Sequence, residues 1–401
     1  MNALSRRVVI IASAFWRLLP QGMRRRWWLF RLFDGLARYW PVFRSRRGVL
    51  VIRMDGIGDM ILFRNNLDHY ADAFGVSAND ITLLGCDSWA SIAGDVFDGY
   101  RVTTINEHRY ARRFFYRLKV NFQVRFLAPQ ITVGDAYFRR ALMSDSLAWV
   151  AGAPRTVVAL PYINERTRAE YTWYMSQGWE VIDTGAYPDH ETVRHAAFIA
   201  AVTGQSVAPA TPVIAWRKQA PPAEITAPYA VLNPGSNEYG RRWPLAEYVA
   251  LASWLRARGL RVVFVGKAEE KSGDDVLTAL RKDEGIADMT GRSTLPELLD
   301  IMKGAALVVS NDTGPAHVAI ALGAKTVVIV GGGHFGCFVP YPDGVAPRHA
   351  RFVYERMGCY HCFWRCHKRD DTKASFPCIA AVSMDKVQMA CVALLDEGGA
   401  A

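Results

Sequence analysis

From Gly48 onward, short apolar runs rich in β-branched residues alternate with amphipathic stretches of helical period, the order expected of a parallel sheet with crossover helices. Val49-Leu50-Val51-Ile52 reads as a buried first strand. After the loop Arg53 to Asp59, the pattern predicts a helix from about Met60 to Ala73 and a second strand at Ile81 to Leu84. Between residues 205 and 228 the periodicity stops, and Pro209, Pro212, Pro221, Pro222 and Pro228 mark a linker. The alternation then resumes with a strand at Tyr229 to Leu232, a helix at Pro244 to Arg258 opened by its proline, and a strand at Arg261 to Val265. A helix at Leu295 to Lys303, a strand at Leu307 to Ser310, a helix at Pro315 to Leu322 and a strand at Thr326 to Val330 complete it. This predicts an α/β fold of two Rossmann-like domains facing a central cleft, spanning 48–204 and 229–401 around the linker 205–228, with a basic helical extension over 1–47.

The chain of 401 residues, 51% of them hydrophobic, is long enough for two separate cores. Its net charge of +10 is local: residues 1–48 hold eleven arginines, no lysine and one acid, Asp34, so the remainder is neutral. A nucleic-acid groove across the folded body is therefore not implied. In the extension the arginines alternate with Phe15, Trp16, Trp27, Trp28, Phe30, Phe33, Tyr39 and Trp40, the mixture of an interfacial helix whose aromatics sit at headgroup depth while arginines meet anionic lipid. Residues 4–45 are read as binding a membrane surface, in preference to a solvated or partner-covered helix. The apolar run Val8 to Phe15 is too short to span a bilayer, and no clean cleavage site follows Arg6-Arg7. Seven cysteines, an odd number, argue against a fully paired secreted scaffold, so a cytoplasmic protein, peripheral at the inner face of the membrane, is expected. A second basic stretch runs from Arg109 to Arg125. There Arg112, Arg113 and Arg117 stand among aromatics and either face an anionic acceptor or form the solvated side of an amphipathic helix.

Three motifs follow strands and precede helices, the end of an α/β sheet where ligands bind. In Arg53-Met54-Asp55-Gly56-Ile57-Gly58-Asp59 the glycines permit close approach, and the third glycine of a dinucleotide fingerprint is missing. Asp59 is the candidate general base, weighed against a plain cap on the helix predicted at Met60. In Asn233-Pro234-Gly235-Ser236 through Arg241-Arg242-Trp243-Pro244, the Ser236 hydroxyl and the arginine forks suit a diphosphate. The alternative is a surface loop with solvated arginines. In Ser310-Asn311-Asp312-Thr313-Gly314-Pro315-Ala316-His317 a helix start offers free N–H groups and its dipole to an anion, and His317 is either a donor to it or a satisfied structural histidine. No Asp-x-Asp triplet occurs, so leaving-group charge falls to arginines and helix ends, without a metal or other cofactor. Cys359, Cys362, Cys366 and Cys378 offer four thiolates to a structural zinc, but their irregular gaps fit the paired-knuckle pattern poorly, and reduced or partly paired cysteines are the preferred reading.

Together the three motifs resemble glycosyltransferase family 9, the ADP-heptose:lipopolysaccharide heptosyltransferase family of bacteria, from about Gly48 to Cys378 and most strongly at Ser310 to Gly323. The resemblance implies a GT-B fold, with the donor held mainly by the C-terminal domain and the acceptor by the N-terminal one, and metal-independent inversion at the anomeric carbon. It implies Asp59 as catalytic base and Arg241, ahead of Trp-Pro, on the donor diphosphate. Glu269, the nearer of two candidates beside Glu270, would meet the ribose, and Asp312, Thr313, Gly314 and His317 the donor's sugar and phosphates. The partners it implies are a nucleotide-sugar donor and a lipid-linked saccharide acceptor. A transferase of a different sugar and a non-catalytic nucleotide-sugar-binding assembly subunit are the alternatives. Three departures stand out: Arg241 occupies a position where lysine is usual, Gly331-Gly332-Gly333-His334-Phe335 replaces the common Gly-Pro-Thr-Asp-Pro, and the arginine-rich extension is absent from many members.

Overall fold

The computed structural model describes residues 26–217, 220–268 and 285–396. The run Val8 to Phe15 and Glu269 lie outside the described residues. Twelve strands form among those described: β1 Val49–Ile52, β2 Ile81–Cys86, β3 Arg101–Ile105, β4 Ile131–Gly134, β5 Arg155–Ala159, β6 Glu180–Ile182, β7 Tyr229–Asn233, β8 Arg261–Phe264, β9 Ile286–Asp288, β10 Leu307–Asn311, β11 Thr326–Ile329 and β12 Ala350–Val353. They make two six-stranded sheets, β3-β2-β1-β4-β5-β6 and β12-β11-β10-β7-β8-β9. Counted from its own first strand, each sheet has the order 3-2-1-4-5-6 of a doubly wound nucleotide-binding fold. The α/β, GT-B expectation of two Rossmann-like domains is met. The order reverses between β1 and β4 in one sheet and between β7 and β10 in the other, so the crevices outside the carboxyl ends of those strands are the places for ligands.

Five helices carry the argument: α1 Arg26–Arg38, α2 Ile57–Phe74, α3 Phe114–Leu127, α4 Leu245–Ala257 and α5 Gly314–Ala321. α2 begins three residues before the predicted Met60, because Gly56 is its N-cap and Asp59 already lies in the first turn. The basic stretch at 109–125 is two helices rather than one, since Arg113 takes an extended conformation (φ −115°, ψ 106°) between Glu107–Arg112 and α3.

The chain forms two compact units, one holding residues up to Met54 with Ile105–Val181, the other Asp55–Thr104 with Ile182 onward. In the first unit, α1 turns Asp34 and Ala37 inward, both fully buried. The Asp34 carboxylate accepts hydrogen bonds from Arg117 Nε at 2.7 Å, Asn121 Nδ2 at 2.6 Å and Ser146 Oγ at 2.7 Å. Arg117, itself 2% exposed, also donates to Leu142 O at 3.0 Å, and its guanidinium carbon lies 4.4 Å from the ring centroids of both Phe30 and Tyr110. The sole acid of the basic extension is thus the counterion of a core arginine, and α1 is part of the unit's packing. Among the described residues no helix is long and apolar enough to cross a membrane.

In the second unit, the β7-β8-β10-β11 layer is buried on both faces. Leu232, Val262, Val309 and Val327 pack with Tyr248, Leu251 and Leu255 of α4 on one side, with the C-terminal helix Met384–Asp396 adding Val387, Cys391 and Leu394. Such near-continuous apolar strands are the mark of a parallel sheet covered on both sides.

Candidate active site

The second unit assembles the site from three loops. The first is the turn into α2, where Trp89 Nε1 donates to Asp55 O at 3.3 Å. Gly56 carries no capping side chain, and Asp59 sits half-buried in the opening turn. Asp59 is therefore not the N-cap but the acid of the first turn.

The turn meets the start of α5 at a pair of glycines. A β-carbon on Gly58 would lie 3.0 Å from His317 Cδ2 and 3.2 Å from Gly314 Cα, and one on Gly314 would lie 2.4 Å from Ile57 Cγ2. Either helix start would be pushed away by a side chain at these points, because protein interiors are close-packed and no shift of a few tenths of an ångström relieves a 2.4 Å contact. The absence of both β-carbons brings the first turn carrying Asp59 against the first turn carrying His317.

The other two loops leave β7 and β10 at the reversal of the second sheet. They are sewn together by two asparagines that end those strands. Asn233 Nδ2 donates to Ser310 Oγ at 2.9 Å and Thr313 Oγ1 at 3.3 Å. Asn311 Nδ2 donates to Pro234 O at 2.8 Å, while its Oδ1 accepts from Trp243 N at 3.0 Å and Tyr248 OH at 3.1 Å. Buried amides with this many partners fix loop geometry, since each orphaned group costs roughly 1–3 kcal/mol.

On that frame Ser236 is 3% exposed and its Oγ has no hydrogen-bond partner, although the neighbouring Arg242 holds the Ser236 carbonyl with Nη2 at 2.9 Å. Arg241 pairs with Asp312 Oδ2 at 3.3 Å and donates to Asp312 O, yet its buried Nε is also unpartnered. Buried polar atoms without partners are uncommon in folded proteins and call for an explanation such as a missing ligand. Thr313 is the N-cap of α5, its Oγ1 turned to Asn311 O at 3.2 Å, and no acid occupies the first turn to answer the helix dipole. His317 is buried, with Nδ1 3.1 Å from Tyr341 OH. Burial first, and then the Arg241 charge, lowers its pKa to about 4, so at neutral pH it offers a neutral imidazole.

Asp59, Ser236, Arg241, Asp312, Thr313, Gly314 and His317 therefore all belong to one unit, and Gly58–Gly314 and Arg241–Asp312 tie three of its loops together. Arg112 and Arg113 are exposed on the first unit, whereas Arg117 is committed to Asp34, so only the first two present free cationic surface. Cys359, Cys362, Cys366 and Cys378 are free thiols. Burial raises the pKa of Cys362 and Cys378, and the neighbouring cysteines add to it. Among the described residues no three His, Cys, Asp or Glu side chains gather closely enough to hold a metal ion. Sequence reasoning assigned no role to Asn233, Asn311, Tyr341 or Trp364. The asparagines left a signal, a polar residue closing an apolar strand; the others are paired across long sequence separations.

The model of "Glycosyltransferase family 9 (heptosyltransferase)" matches residues 177–363. Lipooligosaccharide heptosyltransferase 2 of Haemophilus influenzae is 32% identical over 103 residues, 24% of this chain and 30% of that protein, so the chain aligns with less than a third of that curated relative's length. Among solved structures, a glycosyl transferase family 9 protein from Veillonella parvula superposes with a TM-score of 0.70 at 17% identity, covering 89% of this chain and 100% of that one. The ADP-heptose lipopolysaccharide heptosyltransferase II of Escherichia coli gives 0.63 at 18% identity, covering 88% and 100%. At such identities the likeness is one of fold.

Proposed function

We propose that this chain is a glycosyltransferase of family 9, whose model matches residues 177–363, and that it transfers heptose from ADP-heptose to lipopolysaccharide core or a related lipid-linked glycan. The observation that carries the donor half is the convergence of unpartnered Ser236 Oγ and Arg241 Nε with the start of α5 at the reversal of the second sheet. A hydroxyl, a guanidinium edge and a helix N-terminus all offer hydrogen to an anion, and a diphosphate is the anion that would accept from three directions.

In the proposed reaction Asp59 takes the proton of the acceptor hydroxyl as its oxygen attacks the anomeric carbon from the face opposite the diphosphate. The carbon–oxygen bond to phosphate breaks, its electron pair leaves with ADP, and the configuration inverts. Arg241, Ser236 and the α5 dipole stabilise the departing charge, and the role of a divalent ion falls to these groups. Neutral His317 would meet a sugar or phosphate oxygen through hydrogen bonding. Glu269 is the proposed ribose contact, and the exposed Arg112 and Arg113 are the proposed acceptor contacts. Melting the full chain in the presence of ADP-heptose and of other ADP-, UDP- and GDP-sugars tests the donor, because a ligand of the native state raises the melting temperature. Selective stabilisation by ADP-heptose is expected; stabilisation by another nucleotide sugar would reassign the donor, and a flat response would count against nucleotide-sugar binding altogether.

The proposal extends to the membrane. Opposite the buried face of α1, Leu32 and Leu36 are exposed, and the chain continues with exposed Tyr39, Trp40 and Phe43, the last 96% exposed. Apolar side chains left in water on an arginine-rich segment suit an anionic lipid surface. The full chain is expected to float with phosphatidylglycerol vesicles and not with neutral ones, and Leu32→Ser with Trp40→Ser to weaken flotation by roughly tenfold. Equal recovery with both vesicle types would count against an anionic anchor.

A further inference from the structure

The loop that bears Cys359, Cys362 and Cys366 is fastened to the glycine run after β11. His361 N donates to Gly332 O at 2.6 Å and Phe363 N to Gly333 O at 3.0 Å. His361, Phe363 and Trp364 all take the left-handed conformation, with φ of 68°, 53° and 60°, which non-glycine residues adopt only when their surroundings hold them there. The glycines supply those surroundings. A β-carbon on Gly332 would lie 2.2 Å from Tyr360 Cδ1, and one on Gly333 would lie 2.1 Å from Trp364 Cδ2. Gly331-Gly332-Gly333 is thus a seat cut for two rings.

Trp364 uses that seat to reach the candidate active site. Its ring stacks on Phe376 at 5.6 Å and 21°, and the Arg241 guanidinium carbon lies over it, 4.5 Å from the ring centroid. Asp312 holds Arg241 from another direction. A guanidinium resting its face on an aromatic ring keeps the N–H groups at its edge available, whereas the same group collapsing onto a carboxylate spends them. The unpartnered Nε is one such edge group.

We propose that Trp364 is a positioning residue for the donor: it holds the Arg241 guanidinium flat so that its edge, rather than the pull of Asp312, faces the diphosphate. The cysteine-bearing loop thereby becomes part of the donor site, and the Gly331–Gly333 run is its mount. This rests on the reading of Arg241 as a diphosphate ligand. It also accounts for arginine at 241, since a lysine ammonium lacks the flat face that stacks.

The test is a double-mutant cycle read by calorimetric titration of ADP into the full chain. Trp364→Leu is expected to weaken ADP about 3- to 30-fold, to raise the donor KM, and to leave the acceptor KM unchanged. Trp364→Phe keeps an aromatic face and a fold-compatible ring, and is expected to retain most of the affinity. In an Arg241→Lys background, where there is no plane to hold, Trp364→Leu is expected to change ADP affinity by less than twofold. An equal loss in both backgrounds would show that Trp364 acts through general packing and would overturn the proposal, as would a Trp364→Leu chain that binds ADP normally. Absence of ADP binding by the wild-type chain would instead overturn the donor reading beneath it, and the proposal with it.

Discussion

Replacing Asp59 with asparagine is expected to lower kcat by about 10²- to 10⁴-fold while ADP affinity stays within about twofold. The change is nearly isosteric and leaves Gly56 as the N-cap of α2. The Gly58–Gly314 contact is backbone to backbone and survives the substitution. What is lost is the capacity to accept the acceptor's proton, and pre-steady-state turnover with separately measured donor binding isolates that loss. A parallel fall in donor affinity would assign Asp59 to binding; unchanged turnover would remove it from the chemistry.

The second large effect concerns stability and comes from the basic extension. Asp34→Ala is expected to destabilise the first unit by about 3–5 kcal/mol, because it leaves the Arg117 charge buried without its counterion. The melting temperature should fall by on the order of 10 °C. Asn121 and Ser146 lose an acceptor in the same step, so the deficit is larger than one ion pair at a surface would produce. Combining Asp34→Leu with Arg117→Met should recover much of the loss, since an apolar pair of similar volume avoids the cost of burying charge. Deleting residues 1–47 removes Asp34 with the rest of the extension and is expected to destabilise like Asp34→Ala, so binding experiments belong on the full chain. Near-wild-type melting after either change would contradict the assignment of α1 to the packed unit.

Six of the twelve strands, β1, β2, β7, β8, β10 and β11, and the three strand-to-helix loops were legible because their signals are local. Apolar β-branched runs ended in Asn233 and Asn311, with Pro244 and Pro315 just beyond to open helices. Arg117 was illegible for the opposite reason. Its five neighbours on either side read as an amphipathic surface, and only the fold supplies Asp34 from 83 positions upstream. A charge pattern that looks solvated along the chain can be neutralised across it, and periodicity carries no record of that. Gly58 was visible as a glycine that permits close approach and Gly314 as a helix start, but not as each other's partner. The Gly331–Gly333 run looked like a departure from a familiar motif, yet its explanation, the rings of Tyr360 and Trp364, lies about thirty residues downstream.

The most direct test of heptosyl transfer is to incubate the purified full chain with ADP-heptose and lipopolysaccharide core lacking its heptose, and to follow the acceptor's mass and the release of ADP. One heptose added per acceptor, one ADP released per heptose, and loss of both in Asp59→Asn is the predicted result. ADP-heptose that binds without any acceptor gaining a sugar, or a different nucleotide sugar that is consumed in its place, would contradict it.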